Sequence, residues 1–312
     1  MDGPATDEDV PAFCGALGIP GLADVHTHFL PPRMMRRVWA YFEEGGPLIG
    51  SAWPIQYRWP DEDRVAHLRA MNVQLFSALA YAHRPDMAAD LNAWTMEFAK
   101  STAGCLPSAT FYPEPGAAGY VSDVLRDGAR IFKLHLQVGG FSPVDPLLDP
   151  VWRLLSEAGT PVVVHAGHAP AAAQYTGPDP FAQLLRRYPD LTVIVAHMGA
   201  PDYTSFLNLA EAYENVYLDT TMIFTGWLGE FPAAELPRVR DLGLRRKVLL
   251  GSDFPNIPYP YARQIAALTG LGLGQEWLRA VCWENATALF PPAPGTGDVM
   301  GGLPPTDASG VN

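Results

Sequence analysis

The 312-residue chain is long enough for one large α/β barrel or two ordinary domains, and its 48% hydrophobic content supplies a sizeable core. A net charge of −12, with no basic cluster beyond short pairs such as Arg36-Arg37 and Arg245-Arg246, argues against nucleic acid as a partner, since phosphate binding needs a basic face. Cys14, Cys105 and Cys282 form no CxxC, no basic stretch leads into an apolar one at the start, and no apolar run would span a bilayer. The expectation is a cytoplasmic protein, off the membrane, acting on a small molecule.

In chain order, residues 1–20 read as an acidic, proline-bearing N-terminal extension. Residues 21–290 alternate short Val/Ile/Leu/Phe-rich runs with helical patterns. Strands are expected near 22–28, 74–80, 107–112, 130–136, 161–166, 192–198, 215–220 and 247–253, each apolar as a strand buried on both faces should be. Helices are expected over 61–71, where Val65, Leu68 and Met71 share a face, and over 86–100, where Met87, Leu91, Trp94 and Phe98 do. Others fit 116–127, 147–158, 178–188, 203–213 and 232–241, with one or two more between Tyr261 and Leu289. Strands each followed by a helix predict a (β/α)8 TIM barrel. A doubly wound open sheet is the weaker alternative, because no Gly-rich phosphate loop follows the first strand.

Two stretches fall outside the repeat. Residues 31–60 read as an insertion after the first strand, carrying Trp39, Tyr41, Phe42, Trp53, Tyr57 and Trp59. It is either a surface excursion or a cap over the barrel mouth, where Arg58 and Trp59 would contact an acidic substrate. It could equally cover a neighbouring subunit, which leaves a homo-oligomer such as a dimer open. Residues 291–312 read as a flexible Pro/Gly-rich tail.

The chemistry-bearing residues gather at one end of the strands. His26 and His28 close the first strand at i and i+2 spacing, where strand side chains share a face and can converge on one metal ion. A lone strand histidine would read as a satisfied core residue. His165, His197 and Asp253 end later apolar runs, and the C-terminal strand ends are where a β/α barrel builds its active site. Strand parity puts Asp24, His26 and His28 on one face. It turns Ile131, Lys133 and His135 inward, with Phe132 and Leu134 towards the helices. An inward lysine needs a partner, for instance Asp24. Asp219, ending the seventh strand, could support a metal ligand. His168, His83 and Arg84 lie in strand-following loops and read as substrate contacts or solvated side chains. His67 reads as structural.

Asp24-Val25-His26-Thr27-His28, Phe132-Lys133-Leu134-His135, Val164-His165-Ala166-Gly167, Ala196-His197-Met198-Gly199 and Gly251-Ser252-Asp253-Phe254-Pro255 together resemble the amidohydrolase superfamily. Within it they resemble the amidohydrolase-2 (amidohydrolase-related) branch of TIM-barrel metal-dependent hydrolases and decarboxylases, over roughly residues 20–290. The resemblance implies one divalent ion, zinc or else manganese, on His26, His28, His165 and Asp253. Asp253 would also move a proton. His197 would be a general acid, a carbonyl polariser or a ligand to a second metal. Lys133 stands where binuclear members carry a carboxylated bridging lysine, but its context is similar to the mononuclear branch. That implies an unmodified amine which, with His135, faces the substrate. The leading expectation is hydrolysis of a C–N, ester or lactone bond by a metal-activated water. The alternative is non-oxidative decarboxylation, or hydration, of an aromatic or unsaturated acid. The intact ligand set weighs against a non-catalytic binding protein.

Overall fold

The computed structural model describes residues 1–44 and 53–291. Residues 45–52 of the expected insertion, and the expected tail after 291, lie outside the described residues. The strands are β1 (Leu22–Asp24), β2 (Val73–Ser77), β3 (Cys105–Leu106), β4 (Ser108–Thr110), β5 (Ile131–His135), β6 (Val162–His165), β7 (Val193–Val195), β8 (Val216–Asp219) and β9 (Val248–Leu249). Every paired neighbour is parallel, in the order β1-β2-β3 and β4 to β9. The third barrel strand is split into β3 and β4 at Pro107, which has no N–H to give the ladder. Val25 N–H donates to Leu250 O at 2.9 Å and Asp253 N–H to His26 O at 2.8 Å, joining first strand to last. The result is a (β/α)8 TIM barrel.

One side chain from each barrel strand fills the interior: Ala23, Leu75, Leu106, Ile131, Val163, Ile194, Tyr217 and Leu249. Ala286, Leu289 and Phe290 from the last helix pack against the same cluster. Phe132, Leu134, Val162, Val164, Val193 and Val195 face outward into the larger core beneath the helices. This two-sided burial is why the strands read as continuous apolar runs rather than alternating ones. The expected helices form, among them Asp61–Ala70, Ala88–Ser101, Ala117–Arg126, Asp149–Ala158, Pro178–Arg187 and Tyr203–Ala212. The N-terminal stretch forms a helix of its own, Val10–Leu17, which buries Val10, Phe13, Cys14 and Leu17. Pro32–Glu43 is helical, and beyond the undescribed residues Trp53 donates to Asn256 O at 2.6 Å. Among the described residues no helix is long and apolar enough to cross a membrane.

Candidate metal centre

Strand parity fails at the first strand, and the failure makes the site. Ala23 and Val25 point into the barrel, so a regular strand would turn Asp24 and His26 outward together. Asp24 does face the helix layer. Its Oδ2 accepts from Ser252 Oγ at 2.5 Å and from Tyr261 OH at 2.9 Å, and its Oδ1 accepts from His26 N at 3.1 Å. That last bond folds a side chain onto the backbone two residues on, a turn that competes with strand pairing. β1 accordingly ends at Asp24, and His26 and His28 swing inward. Burial pushes Asp24 up to about 7 despite these donors. The expected pair of Lys133 with Asp24 does not form: Lys133 Nζ lies 2.9 Å from His26 Nε2.

Ligand atoms of His26, His28 and Asp253 all lie within 4.8 Å of one another. Asp253 Oδ1 is 2.8 Å from His28 Nε2 and 3.4 Å from His26 Nε2. His165 stands beside this trio rather than within it, its ring 4.9 Å from that of His197, which is in turn 5.2 Å from His26. His135 stacks on His165 at 4.0 Å between centroids and 10° between planes.

The hydrogen bonds decide which nitrogen of each ring carries the proton. His28 Nδ1 meets Leu79 O at 2.8 Å, and a carbonyl only accepts, so Nδ1 is protonated and Nε2 is the nitrogen turned towards Asp253. His26 Nδ1 meets Asp219 Oδ2 at 2.8 Å, with the same consequence. His197 Nδ1 faces Thr221 O at 3.2 Å, leaving Nε2 as an acceptor. His165 Nε2 faces Ala169 O at 2.8 Å, leaving Nδ1. His135 is reversed: its Nδ1 accepts from Val138 N at 3.3 Å, so the neutral ring donates from Nε2. Four imidazoles are therefore metal-competent bases and the fifth is an N–H donor. In the trio, His26 Nε2 and His28 Nε2 converge on Asp253 Oδ1, and the 2.8 Å His28–Asp253 contact is a hydrogen bond whose proton a cation can replace, so the residues fit a divalent ion.

The electrostatics agree. Burial keeps the rings neutral, pushing His26 down to about 4 and holding His135, His165 and His197 below the usual imidazole range. Burial also opposes charge on Asp253, but the His28 hydrogen bond and nearby His26 and His197 outweigh it and hold the carboxyl well below its ordinary value. Asp219 behaves likewise under His26. Fully buried, it also accepts from His197 N at 2.8 Å and Thr221 N at 3.1 Å. Burial pushes the Lys133 amine down to about 8, against the pull of Asp253 and Asp219. His197 and Asp253 have φ of 54° and 73°, left-handed values uncommon for residues with a side chain and found at sites the surrounding structure over-determines.

Other sequence candidates lie elsewhere. Arg58 forms an ion pair with Glu43, and Trp59 packs edge-on against Tyr57 and His67. Neither makes a hydrogen bond or ring contact with the cluster among the described residues. His67 holds Asp7 at 2.8 Å, a structural role. His168 pairs with Asp202 at 2.5 Å, and His83 and Arg84 are exposed. Tyr81 was missed by sequence reasoning. Its ring is 6.0 Å from His28 and 5.0 Å from His135. Its place just past the second expected strand, at the active-site end, was the available signal.

Fold and cluster define a TIM-barrel enzyme with its chemistry at the C-terminal mouth. The Amidohydrolase family model (Amidohydro_2) matches residues 23–291, and the chain belongs to that family of metal-dependent enzymes. No curated protein matches the chain. Among solved structures, a TIM-barrel protein Bb4693 from Bordetella bronchiseptica is 20% identical, with a TM-score of 0.68 over 86% of this chain and 98% of its own. The 5-carboxyvanillate decarboxylase from Novosphingobium aromaticivorans, complexed with manganese and 4-hydroxy-3-methoxy-5-nitrobenzoic acid, is 15% identical, with a TM-score of 0.60 over 88% and 97%. Dihydroorotase from Campylobacter jejuni is 15% identical, with a TM-score of 0.54 over 88% and 84%. At these identities the likeness is one of fold.

Proposed function

We propose that the protein is a mononuclear metal-dependent hydrolase of a small, carboxylate-bearing organic substrate. The observation that carries this reading is the Asp253 carboxyl, its Oδ1 2.8 Å from His28 Nε2 and 3.4 Å from His26 Nε2. His26, His28 and Asp253 would hold the ion, with His165 as the fourth donor. Three imidazoles and a carboxylate suit zinc, with manganese second. A bound divalent ion supplies a water of lowered pKa and polarises a substrate oxygen.

The chain's own groups do the rest. Asp253 takes the proton of the attacking water and returns it to the leaving group. Asp219 keeps the His26 proton on Nδ1. His197, an acceptor at Nε2 as a neutral ring, suits a base or a ligand better than a donor to a carbonyl. Lys133, a buried amine that no carboxylate side chain contacts directly among the described residues, attracts an anionic substrate and disfavours a second metal ion.

Decarboxylation is the second reading, supported by the fold likeness to 5-carboxyvanillate decarboxylase. A panel of lactones, amides and aromatic acids, assayed with the metal-loaded protein, separates the two. Ring opening or C–N cleavage with uptake of one water is expected. CO₂ release without water uptake would establish the second reading instead.

A further inference from the structure

One wall of the site has no part in the reaction just proposed. Leu79 anchors it: its N–H donates to Thr27 O at 2.9 Å and its carbonyl accepts from His28 at 2.8 Å. Ala82 N–H donates to Thr110 Oγ1 at 3.3 Å on the far side. Between these anchors Tyr81 projects its ring towards His28 and His135. Three buried tyrosine hydroxyls elsewhere find partners, Tyr57 on Asp7, Tyr261 on Asp24 and Tyr259 on Gln264, while that of Tyr203, away from the cluster, has none among the described residues. The Tyr81 hydroxyl makes no hydrogen bond among the described residues, and the residue as a whole is half-buried. The neighbouring His135 is the one cluster imidazole that presents an N–H. Stacking on His165 and the Val138 bond fix its ring. Two donors thus stand side by side, their rings 5.0 Å apart, beside the metal-competent trio.

We propose that Tyr81 Oη–H and His135 Nε2–H together bind the substrate's carboxylate, making Tyr81 a specificity residue for acidic substrates. This rests on the reading that the substrate is a carboxylate. Both groups donate without carrying charge, so they fit a carboxylate through charge-assisted hydrogen bonds while leaving the metal ligands undisturbed.

The test uses the zinc-loaded full-length protein and calorimetric titration with α,ω-dicarboxylates from malonate to adipate, each beside its monomethyl ester. One carboxylate can occupy the metal and the second the donor pair, whereas the ester loses the second anion. At one chain length the wild type should prefer the diacid at least tenfold. Tyr81→Phe should cut that preference about tenfold with zinc content and ester affinity unchanged, as loss of one hydrogen bond to a charge implies. His135→Leu should do the same, and His135→Gln, which keeps an N–H donor, should restore part of it. No diacid preference at any length would overturn the proposal. So would a preference that survives Tyr81→Phe, or equal weakening of diacid and ester. The titration reads binding alone, so failure to find hydrolysis would count against the proposed reaction and not against this subsite.

Discussion

Replacing Asp219 by asparagine tests the proton map of the site with almost no change in shape. Asp219 Oδ1 accepts the backbone N–H groups of His197 and Thr221 at 2.8 and 3.1 Å, while Oδ2 faces His26 Nδ1 at 2.8 Å. In Asp219→Asn the two backbone donors require the amide oxygen at the Oδ1 position. The NH₂ must then face His26 Nδ1, donor against donor. The ring escapes by moving its proton to Nε2, the nitrogen 3.4 Å from Asp253 and 2.9 Å from Lys133. One lone pair of the metal trio is lost. Disturbing a group that orients a metal ligand typically costs about 10- to 100-fold in metal affinity, about 1.4–2.7 kcal/mol. Competition against a chromophoric chelator measures the affinity, and long-range ¹⁵N–¹H spectra of the imidazoles report the tautomer. Metal affinity within twofold of wild type, with His26 still protonated on Nδ1, would refute the reasoning.

Two further outcomes concern the metal centre and one the Asp7 contact with His67. Gly251→Ala would set a methyl against Thr221 Oγ1 and 2.9 Å from His26 Cβ, so it should weaken metal binding and lower stability by about 1–3 kcal/mol in urea titrations. Burial raises the Asp7 pKa, but hydrogen bonds from His67, Tyr57 and Ala262 N–H outweigh it and hold it below its ordinary value. That stabilisation is present above the unfolded carboxyl pKa and lost as pH falls through the folded one. Asp7→Asn should therefore cost about 1–3 kcal/mol at pH 7, and the gap from wild type should close below about pH 4 in pH-stepped denaturation. Lys133 should remain an amine: ¹³C spectra of metal-loaded protein in ¹³C-bicarbonate should show no carbamate carbon, and a carbamate would move the enzyme to the binuclear class.

The barrel was legible because its strands are buried on both faces, which writes each as an apolar run with a functional residue at one end. Lys133 and His135 could be placed inward from parity because β5 is a regular strand. The same parity misled at β1, where the Asp24 carboxylate captures the His26 N–H and ends the ladder. Nothing in residue spacing reports such a local bond. Tyr81 carried no signal beyond its position, since a tyrosine after a strand is as often packing. Arg58 and Trp59 looked like substrate contacts because they follow the metal pair in sequence. Glu43, Tyr57 and His67 take them instead, contacts that position in the sequence does not report. The helix Val10–Leu17 was read as mere extension because its apolar face is short.

His26, His28 and Asp253 are proposed to hold one divalent ion. Metal analysis of purified protein, repeated on His26→Ala/His28→Ala with folding checked by circular dichroism, tests it most directly. Wild type should carry about one equivalent of tightly held divalent metal, zinc foremost. The double variant should fold, hold no metal and show no activity. A folded double variant that retains full activity without metal would contradict the central claim.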